Sequence, residues 1–344
     1  MQAAAWSVEW RVIVDGVDVT RKWMAYLISV EVSDQDGATS DSCSLTLDDA
    51  DAQLLLPQTG ARVQVYLNGV QVFEGTLDQP KSQGSRGAGR TLSLSAQGMD
   101  SRSDVKTPQR FHKDKASLQD FLGEAAQNAG LSGLTLAPEF SKIKRAYWAA
   151  EGESFIHLGH RMAQELGGSF KIRGNQAVLA RRGQGLSPAG AAMPTVLAAF
   201  GGNLVSWDMA PVIGRQLFTR ARARWFDRKA ARWKKTESEM PPRDRQPEAT
   251  DEARFARADA DEAEGVTQGR AAEGARQAGG GTVEIDIAPQ ARAEGTCVIT
   301  GARPGVDGTW RITGVTHRAD RGGGSLTTLE LKQPQGAAGI DDRE

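Results

Sequence analysis

Apolar and polar residues alternate along the first hundred positions. Val8, Trp10, Val12 and Val14 alternate with Ser7, Glu9 and Arg11, and Asp15-Gly16 follows as a turn signal. Leu45 and Leu47 alternate with Ser44 and Thr46. Val63, Val65 and Leu67 run into Asn68-Gly69, with Val70 and Val72 beyond it, which is the strongest hairpin signal in the chain. Leu92, Leu94 and Ala96 supply a further strand. Short strands at this spacing predict a small barrel or sandwich.

The period changes near Lys106-Thr107-Pro108. Leu118, Phe121, Leu122, Ala125, Ala126 and Ala129 fall on one helical face, with Ser117 placed to cap it and Gly130 to close it. A second helix is predicted from Phe155 to Leu166, ended by Gly167. A hairpin from Ser169 to Ala180 follows, turning at Gly174-Asn175. The segment from Gln184 to Pro194 reads as a linker, and Asn203 to Trp225 as extended chain. Thr250 to Gln277 is rich in Ala, Glu, Asp and Arg. It could be a helix, but its apolar face is thin, and Gly265, Gly269 and Gly274 weaken it. Val283, Ile285 and Ile287 then restore the alternation, followed by strands at 297–300, 309–315 and 326–331.

The expected fold is therefore mainly β with an α+β middle: two small β-barrel domains flanking a small α/β domain. The boundaries expected are 1–104, 105–183 and 184–338, with a helical, charged insertion around 237–278 and a tail at 339–344. The first β run (Gly60 to Val65, then Gly75 to Leu77) resembles the last (Gly295 to Thr300, then Gly308 to Trp310). An internal duplication is one reading of this, and chance recurrence in β structure the other.

Composition narrows the function classes. The 344 residues suffice for two or three domains, and a net charge of −1 gives no global pull toward nucleic acid or membrane. The two cysteines, Cys43 and Cys297, are far apart, outside any CxxC pair, and read as small buried apolar residues. The N-terminal residues lack a basic-then-apolar secretory pattern, and no apolar run is long enough to span a bilayer. Assembly in the cytoplasm is expected.

Candidate chemistry is thin. His157 and His160 share an i, i+3 relation, but a zinc site needs a third ligand, and a solvated helix face is the plainer reading. Gly-x-Ser-x-Gly and GxxxxGK[ST] are absent. No catalytic, cofactor-binding or metal-binding residue is assigned, and no cofactor is expected. One run stands out. From Arg215 to Lys235 it holds nine cations against Asp227, interleaved with Trp225, Phe226 and Trp233. Arg220, Arg222 and Arg224 alternate, so a strand would put them on one face. Contact with an acidic neighbouring subunit, contact with DNA in a lumen, and a plain solvated strand are the three readings. Trp6, Trp10 and Trp23 cluster early and read as core.

The C-terminal run Gly295 to Gly301, then Val306 to His317, then Thr327 to Leu331, resembles the late control protein D family of phage tails. The stretch Glu153-Ser154-Phe155, Leu158, Met162-Ala163, Leu166-Gly167 and Phe170 resembles a helix-and-strand unit of the same family. The family forms baseplate hubs of contractile tails and is similar to the hub part of type VI secretion spike proteins. The resemblance implies a structural homotrimer without enzymatic activity, joining a hexameric tail tube, or its initiator protein, to a trimeric central spike, among other baseplate proteins in a virion. It implies no membrane partner and no sequence-specific nucleic acid, although DNA could pass through the lumen. Arg220, Arg222, Arg224, Trp225, Trp310 and His317 are the candidate interface residues, with His317 matching a strand histidine of the family and read as structural, lining a barrel or an inter-subunit contact. A tail-associated cell-wall hydrolase and a cytosolic ligand- or cargo-binding β-protein are the rival readings.

Overall fold

The computed structural model describes residues 7–341 and 343, except 38–39, 88, 101, 184, 186–191, 212–217, 241–248, 323 and 337. Trp6, Arg215, most of the 184–194 linker and the prolines at 241, 242 and 247 lie outside the described residues.

A 13-stranded sheet runs through both β-rich ends of the chain. Its path begins with Leu204–Ala210, Gly280–Asp286, Gly324–Gln335 and Gly308–Asp320. It crosses to Leu27–Gln35 and continues through Ser42–Asp48, Gly89–Gln97, Val70–Ser85, Arg62–Leu67, Trp10–Val14 and Val17–Asp18. Thr195–Ala199 and Thr296–Thr300 pair in parallel and hang from the start of Gly308–Asp320.

The mainly β architecture with an α+β middle is present, but among the described residues neither β unit closes into a ring. The two units share the 13-residue strand Gly308–Asp320. One of its edges is taken by Gly324–Gln335. The other is divided. Residues 308–311 pair with Thr296–Thr300, and residues 314–320 pair with Leu27–Gln35, with Gly314 opposite Gln35 and His317 opposite Val32. In the N-terminal unit, Leu27–Gln35 is paired on one edge with Ser42–Asp48 and on the other with Gly308–Asp320, so it has no edge left on which Trp10–Val14 could close a ring; in the C-terminal unit the end strands Leu204–Ala210 and Thr195–Ala199 do not pair with each other. Ala319 from this strand is fully buried in the N-terminal core, among Val12, Val30, Leu45 and Val65. The C-terminal core gathers Val283, Ile285, Cys297, Trp310, Ile312 and Leu329.

The middle of the chain follows the periodicity closely. Leu118–Asn128 is a helix whose predicted face is buried, and Ser117 with Asp120 forms a reciprocal capping box. Phe155–Leu166 is the second helix, capped by Ser154. Gly168–Arg173 and Gln176–Arg181 form the hairpin, joined in parallel by Gly133–Leu136. A long ribbon, Pro108–Ser117 against Lys144–Ser154, has no counterpart in the sequence reading.

Residues 219–276 form an added unit. Arg220–Asp227 and Arg232–Glu239 pair as a hairpin, and Thr250–Glu252 adds in parallel. The helix Ala260–Arg276 packs on them over a small core of Ala223, Ala253, Ala263 and Val266. The insertion is thus a hairpin plus a helix. Its thin apolar face is explained by proximity. A Cβ on Gly269 would sit 3.0 Å from the backbone nitrogen of Gly167, so these two glycines let the helix approach the C-terminus of Phe155–Leu166 backbone to backbone. Gly167 itself is left-handed, with φ of 66°. Gly274 gives the same clearance to the Met240 sulfur.

Candidate functional site

The basic run forms the distal part of the inserted hairpin. Register puts Arg220 opposite Glu239, Arg222 opposite Glu237, Arg224 opposite Lys235 and Phe226 opposite Trp233. All eight side chains share one face of the hairpin. Near its base the charges are paired: Arg222 Nε donates to Glu237 at 2.6 Å. Farther out they are not matched by opposite charge across the strands, because Arg224 faces Lys235. Arg224 lies 5.8 Å from the Trp233 ring centre, and Phe226 meets Trp233 edge-on at 5.4 Å. On the opposite face, Lys234 sits over Trp225 at 5.4 Å and reaches Asp227 at 2.5 Å. The Lys234 hydrogen bond, with the Ala230 and Lys229 amides of the turn, draws the Asp227 carboxyl down to about 2. Every residue from Arg228 to Trp233 is exposed, and Trp233 is 61% exposed.

Trp310 and His317 are placed otherwise. Trp310 was expected at an interface, and His317 lining a barrel or an inter-subunit contact; both are buried within the chain. Trp310 is fully buried in the C-terminal core, and its Nε1 donates to the Val306 carbonyl at 2.8 Å. His317 is buried at the seam between the two β units, its Nδ1 3.0 Å from Thr327 Oγ1. That hydroxyl accepts the Ala288 amide at 2.9 Å, so its own proton is free to go to Nδ1. Burial and the Arg292 charge push the imidazole down to about 4, which keeps it a neutral acceptor. Its work is to satisfy a buried hydroxyl. Of the six residues, the structure brings together the three arginines and Trp225 on one hairpin and separates them from Trp310 and His317.

Sequence reasoning missed a polar joint where the three parts of the chain meet. Lys171 bonds to Asp34 and also reaches Asp41 at 2.6 Å, while Arg173 reaches Asp41 at 3.1 Å. Burial alone would raise the Asp34 carboxyl, but Lys171 and Arg173 outweigh it and hold it well below the usual carboxylate range. Asp41 moves the other way, raised by burial and by the Asp34 charge. Beside this group, Arg276 bonds to Asp36 and lies 3.4 Å from Glu294, and Arg182 reaches Asp36 at 3.1 Å. Glu294 also accepts the Gly183 amide at 2.6 Å. These residues come from five separate stretches of chain, so no local pattern announces them.

Burial, then the nearby Asp36 charge, push Glu294 up from 4.5 to about 7. A carboxyl whose folded pKa is raised contributes stability in full below 4.5 and loses it as pH rises through 7. Glu294→Gln removes that titration. The variant is expected to gain on the native chain by about 1–3 kcal/mol between pH 4.5 and 8. Urea unfolding at pH 4.5, 6 and 8 checks this, and parallel stability curves for the two chains would refute it.

Other candidate groups are structural in their setting. His157 is exposed, but His160 packs edge-on against Phe170 at 5.4 Å and is half-buried, so the two do not share a solvated face. Cys43 and Cys297 are buried free thiols, and burial pushes Cys297 up to about 12. Among the described residues, no group of three or more His, Cys, Asp or Glu is arranged to hold a metal ion, and no helix is long and apolar enough to cross a membrane.

Comparison with known proteins places this geometry. No family model matches the chain. Over 193 residues it is 25% identical to the probable baseplate hub protein of Escherichia phage P2, covering 55% of this chain and 49% of that one. The chain thus spans about half the length of this curated relative. In fold it is similar to the 43 kDa tail protein of prophage MuSo2 from Shewanella oneidensis, with a TM-score of 0.70 at 14% identity over 94% of this chain and 98% of the other. It is also similar to an E. coli component of the type VI secretion system described as resembling the T4 bacteriophage tail proteins gp27 and gp5. There the TM-score is 0.55 at 11% identity, over 96% of this chain and 79% of that one. Over half its length the chain is thus similar in sequence to a phage baseplate hub protein, and over nearly all of it similar in fold to a phage tail protein and a type VI secretion component.

Proposed function

We propose that this chain is the structural hub of a contractile tail: a homotrimeric adaptor that joins a hexameric tail tube to a trimeric central spike and catalyses no reaction. The observation that carries this reading is the fold match, which extends over 94% of this chain and 98% of a phage tail protein. The sequence match to a probable baseplate hub protein supports it. Three copies, each with two β-rich units inside 1–104 and 184–338, offer six units to a six-fold partner and three chains to a three-fold one. Its partners are then further copies of itself, the tube or its initiator protein, the spike and other baseplate proteins. Its place is the tail baseplate of a phage-like particle, assembled in the bacterial cytoplasm. The mechanism is mechanical. A sheet that runs unbroken between the β units, braced by buried ion pairs, suits a part that must pass load without hinging.

Mixing the chain with the purified spike protein of the same tail, then size-exclusion with light scattering, tests the adaptor role. The expected result is one complex with three copies of each. Two separate peaks, together with release of peptidoglycan fragments by this chain alone, would favour a hydrolase.

A further inference from the structure

The chain as a whole is nearly neutral, but the 219–276 unit is sharply polarised. Residues 224–235 carry six cations against the single acid Asp227, and residues 251–264 carry six acids against Arg254 and Arg257. Each end also presents an aromatic to solvent. Trp233 and Phe226 are 61% and 40% exposed on the basic arm, and Phe255 is 68% exposed on the acidic stretch. The one acid of the arm is already engaged by Lys234 and the turn amides, so it does not neutralise Arg228, Arg232 or Lys235.

Arginine and tryptophan ringed by charge are the residue types that dominate protein interfaces. A basic hairpin with exposed aromatics fits a nucleic acid equally well when taken alone. The acidic stretch decides between them. It runs beside the first strand of the same hairpin, from Thr250 opposite Arg220 at the root to Arg257 bridged to Trp225 at the start of the arm, and would repel a phosphate backbone laid along the arm. Within the acidic stretch Asp251 is held by Arg270, Glu252 lies 4.0 Å from Arg222 and Glu262 3.7 Å from Arg257, which leaves Asp259, Asp261 and Glu264 without an ion pair among the described residues. A second copy of the chain suits both faces at once, since each copy offers a basic-aromatic arm and, around Phe255, these unpaired acids. A contact between two different surfaces of one chain is heterologous, and repeated around a rotation axis it closes a ring.

We propose that the 224–235 arm of one copy seats on the acidic 251–264 stretch, around Phe255, of the next copy, closing the ring head to tail. This rests on the homotrimer reading above and assigns the contact that builds it. Opposite charges guide the approach and fix the register, while the three aromatics supply the buried area.

The test is charge reversal read by light scattering and sedimentation of the full chain. One variant reverses the arm (Arg232→Glu with Lys235→Glu). A second reverses the acidic stretch (Asp261→Lys with Glu264→Lys). A third carries all four changes. Lys234 is left alone because it braces Asp227 within the hairpin. Each two-site variant is expected to raise the concentration needed for trimer by at least ~tenfold, with an unchanged circular dichroism spectrum and melting profile. The four-site variant, which restores opposite charges, is expected to recover the trimer. Two-site variants that stay trimeric like the native chain would overturn the proposal and leave the hub reading intact. Loss of trimer without recovery in the four-site variant would also overturn it. Tight binding of a labelled 30-nucleotide single strand or duplex, abolished by the arm reversal while the trimer persists, would reassign the arm to nucleic acid. A native chain that is monomeric alone and with its spike would remove the homotrimer reading itself.

Discussion

Replacing Arg276 with Ala is expected to destabilise the fold by ~3–5 kcal/mol at neutral pH. Arg276 is 5% exposed, and its guanidinium is shared by Asp36 and Glu294, whose side chains are 2% and 15% exposed. Removing the cation strands two carboxylates where water does not reach them freely, and only Arg182 remains on Asp36. The sign of the pH dependence follows. Without Arg276 the folded Glu294 carboxyl is harder still to ionise, while in the unfolded chain it ionises near its ordinary value. The deficit from Glu294 is therefore small at pH 4.5, where that carboxyl is protonated in the folded chain with or without Arg276, and opens as pH rises through and above 7. Urea unfolding at pH 7.5 and 4.5 measures it. Arg276→Met combined with Asp36→Leu should recover part of the loss, because apolar groups can replace a buried ion pair when both partners go together. An equal loss at both pH values would mean that the helix end, rather than the ion pair, carries the effect.

Trp310→Ala is expected to cost ~3–5 kcal/mol through the cavity it leaves in the C-terminal core, with the Val306 carbonyl losing its partner as well. Trp233→Ala, on the exposed arm, should change stability by less than about 0.5 kcal/mol. Thermal melts of the two variants make the contrast. A small effect at Trp310 and a large one at Trp233 would mean that their places in the fold are reversed.

Much of the fold was legible because local chemistry and global packing agree. Asn68-Gly69 turns a hairpin between Arg62–Leu67 and Val70–Ser85, and the apolar spacing from Leu118 to Ala129 marks a helix whose stripe faces the core. The 220–239 hairpin was half visible. Arg220, Arg222 and Arg224 gave its first strand, but the second strand pairs them with Glu237, Glu239 and Lys235 and has no apolar alternation to reveal it. The helix Ala260–Arg276 was obscured for a related reason. Its buried side is built from Ala263, Val266, Thr267 and Gly269, so close backbone approach replaces the bulky stripe that periodicity detects. The open N-terminal unit traces to one fact invisible in sequence: Gly308–Asp320 occupies the second edge of Leu27–Gln35. The same strand misled the site reading. His317 and Trp310 lie on it and looked available for contact, yet its double pairing buries both.

The central claim, a homotrimeric hub, is tested most directly by the solution mass of the purified chain, measured by light scattering over a range of concentrations at low and high salt. The account predicts three times the 36.9 kDa chain mass, with dissociation favoured by high salt, because the proposed contacts between copies are charged. A mass of one chain at every concentration and salt level, unchanged when the spike protein is added, would contradict it.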